Sequence, residues 1–396
     1  MLNYEENISE YIIKCRRDLH KIPEVGLNLP KTVDYVKKEL DKMNIEYKEF
    51  KNCTGLSAII GKKEGKVIAL RADMDALPIK EETDIDFKST NGNMHGCGHD
   101  THTSMLLGAA KILKANEDKL NGKVKLIFQP GEEEGGGAKV MIEEGVLENP
   151  KVDAMIAQHI MPLPILKPGQ MVVKKGAMMA SSDRFKIKVI GKGGHASTPE
   201  LTKDPIFMAN QIMNMMQGML TRENDAQNPV VVSISNIKSE QPETPVYNII
   251  PNYVEILGTV RCLESESRDF INKRLEEIVD GVTKTMGGSY EYNYEYGYPA
   301  LYNNNKMTDF ILNTCNKLYG QYSMIALPKG AMGSEDAAYY FEKIPGVYYG
   351  LNTAVEGEDV YPLHNPKMKV NESVLEKGCM LLAEGAINFL NSDIKL

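Results

Sequence analysis

Hydrophobic and polar positions alternate in two different ways along this chain. Up to about residue 180, short apolar runs recur, each followed at once by a polar cluster. Val67, Ile68, Ala69 and Leu70 lead into RADMDALP, the run at 124–128 into QPGEEEGGG, and the run at 152–157 into QHIMPLP. Continuous apolar runs of this length predict strands buried on both faces, as in a parallel sheet. Between them the spacing predicts a helix over 101–115, with Asp100 or Thr101 as its cap. Alternating strands and helices imply a mostly parallel sheet with helices on both faces, whose ligands sit beyond the carboxyl ends of the strands. Each polar cluster falls at that edge.

From Ser182 the period changes. Phe185, Ile187 and Val189 alternate with Lys186 and Lys188, the pattern of a strand with one wet face. Asp204 and Pro205 then suit the first turn of a helix running to Met219. Strands are predicted at 230–237, 253–263 and 290–298, and a helix at 268–286. That order implies a four-stranded antiparallel sheet backed by two helices, an α+β domain inserted into an α/β one. The expected division is 1–182 with 297–396 for the first domain and 183–296 for the second. After Pro299 helix and strand alternation resumes, with a sheet strand predicted at 344–352.

Length and composition narrow the function. A chain of 396 residues exceeds what one core usually supports, which agrees with two domains. Its 42% hydrophobic and 25% charged residues are those of a globular protein, and no apolar run reaches the roughly 18 residues of a membrane span. A net charge of −8 argues against a nucleic-acid surface and towards a small-molecule or peptide substrate. The N-terminal segment lacks a basic start and an apolar middle, so a cytoplasmic location is expected. The six cysteines are scattered without paired spacing, as thiols of a reducing compartment are, and five read as ordinary buried side chains.

Chemistry concentrates in a few places. MHGCGHDTHT at 94–103 holds three of the seven histidines, and Cys97 and His99 stand two apart beside Gly96 and Gly98. Thiolate and imidazole suit borderline divalent metals, although a capping or core histidine is an equal reading of this segment alone. Glu132, Glu133 and Glu134 repel one another unless a cation or solvent relieves them, and a solvated acidic turn remains open. GGG at 135–137 lets backbone wrap closely around something. His159 ends a third strand and His364 lies in the loop YPLHNP. Cys97, His99, His159, His364 and one of the adjacent glutamates exceed the four ligands of a structural zinc, which points to two divalent ions, with the other glutamate left free. Such a pair acidifies a shared water, and a neighbouring carboxylate can take its proton.

These residues belong to a longer ordered series: RRDLHKIPEVG (16–26), LRADMDALPI (70–79), MHGCGHDTHTSMLLGAA (94–110), QPGEEEGGGAKVMIEEGVL (129–147), GKGGHAS (191–197), YNIIPN (247–252), GTVR (258–261), MGSED (332–336) and PLHNP (362–366). The series resembles the M20 metallopeptidase family, and within it the amidohydrolase branch of aminoacylases, hippurate hydrolases and auxin-conjugate hydrolases. The resemblance implies a metal-dependent hydrolase of N-acyl amino acids with two divalent ions, zinc, manganese, cobalt or nickel. It implies Cys97, His99, Glu133, His159 and His364 as metal ligands and Glu132 as general base. His195 would stabilise the oxyanion in a neighbouring subunit, the inserted domain serving as lid and dimer contact in a homodimer or higher oligomer. Arg261 and Asn248 would hold the substrate's carboxylate, although a structural salt bridge is open for Arg261. Asp75 resembles an aspartate that orients a metal ligand, with a plain strand-end salt bridge as the alternative. His20, His95 and His102 read as supporting or packing residues. A dipeptidase or carboxypeptidase could use the same centre, and a non-catalytic binding module is a third reading. Two departures stand out: Gly131 and Glu134 replace the more usual QPAEEG, and GLNLP at 26–30 replaces a Glu-rich continuation, which puts in doubt only a minor surface loop.

Overall fold

The computed structural model describes residues 7–240 and 246–396. Two helices open the chain, α1 (Ile8–His20) and α2 (Pro30–Lys42). They are followed by β1 (Tyr47–Glu49), β2 (Leu56–Ile60) and β3 (Lys66–Asp73). Next come α3 (His99–Ala115), β4 (Gly122–Gln129), α4 (Gly137–Glu143), β5 (Ala154–Met161) and β6 (Met171–Val173). The second unit contributes β7 (Asp183–Ile190), β8 (Gly194–His195), α5 (Pro205–Arg222), β9 (Val230–Ser239), β10 (Ile249–Ile250), β11 (Tyr253–Cys262), α6 (Ser265–Thr285) and β12 (Ser289–Glu295). The chain closes with α7 (Asn305–Tyr319), β13 (Met324–Ala326), β14 (Gly346–Asn352) and α8 (Leu375–Leu390).

One compact unit comprises residues up to Met178, Tyr302–Lys329 and Asp336–Leu396. Its eight-stranded sheet has the order β1-β2-β4-β3-β5-β14-β6-β13. The four central strands run parallel, with Asp73 opposite Gln129 and Gly350 opposite His159. β2 joins β4 antiparallel and β6 joins β14 antiparallel, so the sheet is mixed towards its margins. The predicted apolar runs are buried in β3, β4 and β5, whose residues pack with those of α1, α3, α7 and α8 in one core. Because the central strands are parallel, β3, β4 and β5 all present their carboxyl ends at one edge.

The other unit comprises Met179–Leu301 and Gly330–Glu335. Its antiparallel sheet has the order β9-β11-β7-β12, and α5 and α6 cover one face around Phe185, Ile187, Val189, Ile256 and Val260. Asp204 caps α5, accepting from the amides of Ile206 and Phe207, as the Asp-Pro pair predicts. Residues 330–335 join this unit because the amide of Ala180 donates to the carbonyls of Ala331 and Gly333. No helix among the described residues is long and apolar enough to cross a membrane.

Candidate metal centre

Helix α3 starts on Gly98, not on a polar cap. Gly98 takes a φ of +84°, and a Cβ there would lie 2.3 Å from Ile160 Cδ1, so only glycine lets the 94–98 loop turn into the helix. Asp100, expected as a cap, is spent elsewhere: it accepts from His20 Nδ1 at 2.8 Å and lies 2.9 Å from Arg16 Nε. The turn places Cys97 and His99, both buried, facing the end of β5. Cys97 Sγ is 3.3 Å from His159 Nε2. His364 is drawn in from the far end of the chain by its amide, which donates to the Gly96 carbonyl at 2.8 Å, and its Nε2 is 3.2 Å from Glu133 Oε1.

Carbonyl oxygens only accept, so they fix the tautomers of two histidines. His99 Nδ1 donates to the Asp75 carbonyl at 2.9 Å, and His159 Nδ1 donates to the Ile160 carbonyl at 2.5 Å. In both neutral rings Nε2 therefore carries a lone pair, the form that ligates a metal. His99 Nε2 and Glu133 Oε1 are buried and make no hydrogen bond, although Glu133 Oε1 lies 3.2 Å from His364 Nε2. Buried acceptors left this way cost about 1 to 3 kcal/mol each unless a ligand satisfies them. Donor atoms of Cys97, His99 and His159 lie within 4.8 Å of one another, and so do those of Cys97, Glu133 and His364, and of His99, Glu132 and Glu133. The first two trios share the Cys97 sulfur. A set of thiol, imidazole and carboxylate donors of this kind fits borderline divalent ions.

Asp73, His99 and His102 meet the same distance test. His102 has no nitrogen to offer, however: Nδ1 donates to Asp73 Oδ1 at 2.6 Å and Nε2 accepts from the Ile160 amide at 2.8 Å. It is a brace between β3 and β5. Asp73 in turn accepts from Arg71, whose guanidinium also donates to Gln129 and Asp336 in a fully buried network. The carboxylate of Asp75 lies 3.3 Å from His99 Nδ1. Besides its carbonyl contact to His99, its carboxylate accepts from the amides of Glu132 and Glu133, both at 3.0 Å, and so holds the turn that carries both glutamates.

Charge follows from this packing. Burial pushes the Cys97 thiol well up and outweighs the opposing pull of His99, and the charges of Glu133 and Glu132 add to the rise. Burial also opposes protonation of His99, but the charge of Asp73 and the bond to Asp75 outweigh it and raise its pKa. Burial would raise Glu133 too, yet the contact with His364 wins and holds its carboxyl below the usual range, while the same contact raises His364. His95, fully buried with both nitrogens unbonded, is pushed down to about 3 by burial and stays neutral.

The two departures from the usual pattern touch. Leu27 packs on the glutamate turn: a Cβ on Gly131 would lie 2.6 Å from Leu27 Cδ2, and one on Gly135 would lie 2.9 Å from Leu27 Cγ. The Leu27 carbonyl is fixed by the Thr54 amide at 3.0 Å. GLNLP is thus a brace on the acidic turn and not a minor loop.

In the second unit, β8 and β10 pair antiparallel, with His195 opposite Ile249, and the Ala196 amide donates to the Asn248 carbonyl at 2.9 Å. GKGGHAS and YNIIPN therefore form one ribbon carrying His195 and Asn248 together. Arg261 lies on the open face of the sheet, half-buried, and donates to Ser334 Oγ at 3.0 Å; no carboxylate among the described residues pairs with it.

With fold and site in view, the chain belongs to the peptidase family M20/M25/M40, whose profile matches residues 69–388. Thermostable carboxypeptidase 1 of Saccharolobus solfataricus is 39% identical over 399 residues, covering 98% of each chain. Hippurate hydrolase of Campylobacter jejuni is 36% identical over 379 residues, 95% of this chain and 96% of that one. Among solved structures, a Bacillus subtilis protein described as a dinuclear metal binding peptidase from the M20 family matches with a TM-score of 0.84 and 32% identity, over 98% of this chain and 99% of that one.

Proposed function

We propose that this protein hydrolyses the amide bond of N-acyl amino acids with two divalent ions, releasing a carboxylate and a free amino acid. The observation that carries the reading is the pair of donor trios sharing Cys97 Sγ, with Glu132 beside them. Cys97, His99 and His159 would hold one ion, and Cys97, Glu133 and His364 the other. Zinc, manganese, cobalt and nickel all suit these donors. Two ions bound there would polarise the scissile carbonyl and make a water molecule acidic enough to react near neutral pH.

Glu132 takes the proton of the attacking water as its oxygen bonds to the acyl carbon. It then gives that proton to the amide nitrogen, so the carbon-nitrogen bond breaks with a neutral amine leaving. Asp75 keeps Glu132 and Glu133 in register throughout, because it holds both amides. His195 donates to the developing oxyanion from a partner copy, and Arg261 with Asn248 holds the substrate carboxylate, for which a guanidinium offers paired donors. The open edge of β9 and the exposed apolar residues Leu201, Ile206, Phe207, Met215, Ile237 and Ile249 of the inserted unit support a homodimer through it. Six buried free thiols suit a reducing cytoplasm.

Glu132→Gln should bind metal as the parent does and lose nearly all turnover. Undiminished turnover would remove Glu132 from the base role. The relatedness to a carboxypeptidase favours a second reading, peptide hydrolysis at the same centre. A panel of N-acetyl and N-benzoyl amino acids, dipeptides and carboxypeptidase substrates on metal-analysed protein separates the two.

A further inference from the structure

Hydrogen bonds within the GKGGHAS turn bear on what His195 can do. Its ring is exposed, and among the described residues Nδ1 is hydrogen-bonded by Ser197, through its amide at 3.1 Å and its hydroxyl at 2.7 Å. A backbone N–H can only donate, so Nδ1 must present its lone pair, and the neutral ring then carries its proton on Nε2. The hydroxyl can donate to the same nitrogen and adds to the preference. The turn itself is tied down, since the Thr198 amide donates to the His195 carbonyl at 3.0 Å and the ribbon with Ile249 and Ile250 holds the other side. No described residue bonds Nε2.

We infer that Ser197 is a positioning residue that locks His195 as the Nε2–H tautomer, so that the histidine offers a hydrogen-bond donor and not a lone pair. The inference rests on the proposed role of His195 for its significance, but not for its truth. An oxyanion needs a donor, and a ring held in the other tautomer would turn a lone pair towards developing negative charge. The lock is made by main chain as well as side chain, so the two contributions separate by substitution. Ser197→Ala keeps the amide and should keep the tautomer. Ser197→Pro removes that main-chain donor and should release the ring, lowering kcat by about two- to tenfold, the range one neutral hydrogen bond spans, with KM nearly unchanged.

The test is nitrogen NMR on the full-length zinc-loaded protein with labelled histidine, His195 being assigned by the loss of its signals in His195→Gln. At a pH where the ring is neutral we expect a pyridine-type Nδ1 and a pyrrole-type Nε2 for His195, retained in Ser197→Ala and averaged in Ser197→Pro. A pyrrole-type Nδ1 in the parent protein overturns the inference whatever the kinetics are, and this measurement needs no variant to fold beyond the one used for assignment. An Nε2–H tautomer unchanged in Ser197→Pro overturns the role of Ser197. If the tautomer is as expected but His195→Gln leaves kcat intact, the oxyanion role falls and the lock stands.

Discussion

The contact of Leu27 with the acidic turn makes Gly131→Ala an informative change, because it restores the residue more usual at this position and should nevertheless do harm. Gly131 has a φ of +72°, and its new Cβ would meet Leu27 Cδ2 at 2.6 Å, Glu134 O at 3.1 Å and Leu27 Cγ at 3.2 Å. The left-handed backbone costs alanine about 1 to 2 kcal/mol. Overpacking costs about 1 to 3 kcal/mol, and the lower end applies since Leu27 is only partly buried and its terminal methyl can turn aside. We expect a loss of about 2 to 3 kcal/mol in urea unfolding of the metal-free protein. Calorimetry should also show weaker metal binding, because a displaced turn moves Glu133. Adding Leu27→Ala removes the clash but not the backbone strain, so the double variant should recover about 1 kcal/mol relative to the sum of the single changes. Gly131→Ala as stable as the parent, or single effects that add within about 0.3 kcal/mol, would refute the argument.

If His195 serves the neighbouring subunit, mixing His195→Ala with Glu132→Gln, each inactive alone, should regain about a quarter of parental activity after subunit exchange, since half of the dimers are mixed and each has one complete site; no recovery would place His195 in its own chain's site. Chelation followed by dialysis should lower the unfolding free energy by about 2.7 kcal/mol for each ion lost, relative to protein with free metal at a hundredfold excess over Kd, and an unchanged melting curve would argue against the centre. His20 should give a pH signature. Burial opposes its charged form, but the charge of Asp100 and hydrogen bonds to Asp100 and Glu81 raise its pKa. Its contribution is therefore fully present below the unfolded value of about 6.5 and is lost as pH rises through the raised folded value. The stability advantage of the parent over His20→Gln should shrink across that interval, and a flat difference would exclude the assignment.

Much of this architecture was legible because burial imposes periodicity. Apolar runs marked β3, β4 and β5, and alternation marked β7, whose odd-numbered residues pack under α5 and α6. The β8–β10 ribbon was invisible to that signal, since its strands have two residues each. Cys97, His99, Glu132, Glu133, His159 and His364 could be gathered on paper because each stands in or beside a loop at the end of a central strand, or in the loop before α3, and their residue types share one chemistry. Their supports were harder. Helix α3 is buried nearly all round, so nothing in its pattern distinguishes His102 as a brace from a core residue. The double grip of Asp75 joins positions 57 and 58 residues apart, and Leu27 reaches Gly131 across more than a hundred, which no local spacing encodes.

The grip of Asp75 on two consecutive amides has a practical corollary. Proton handling and ion retention, if they fall to neighbouring glutamates, cannot drift apart by small steps, because one carboxylate steers both. An engineer wishing to exchange the ion while sparing turnover should leave residues 75, 132 and 133 alone and vary His159 or His364, which the Asp75 carboxylate does not hold.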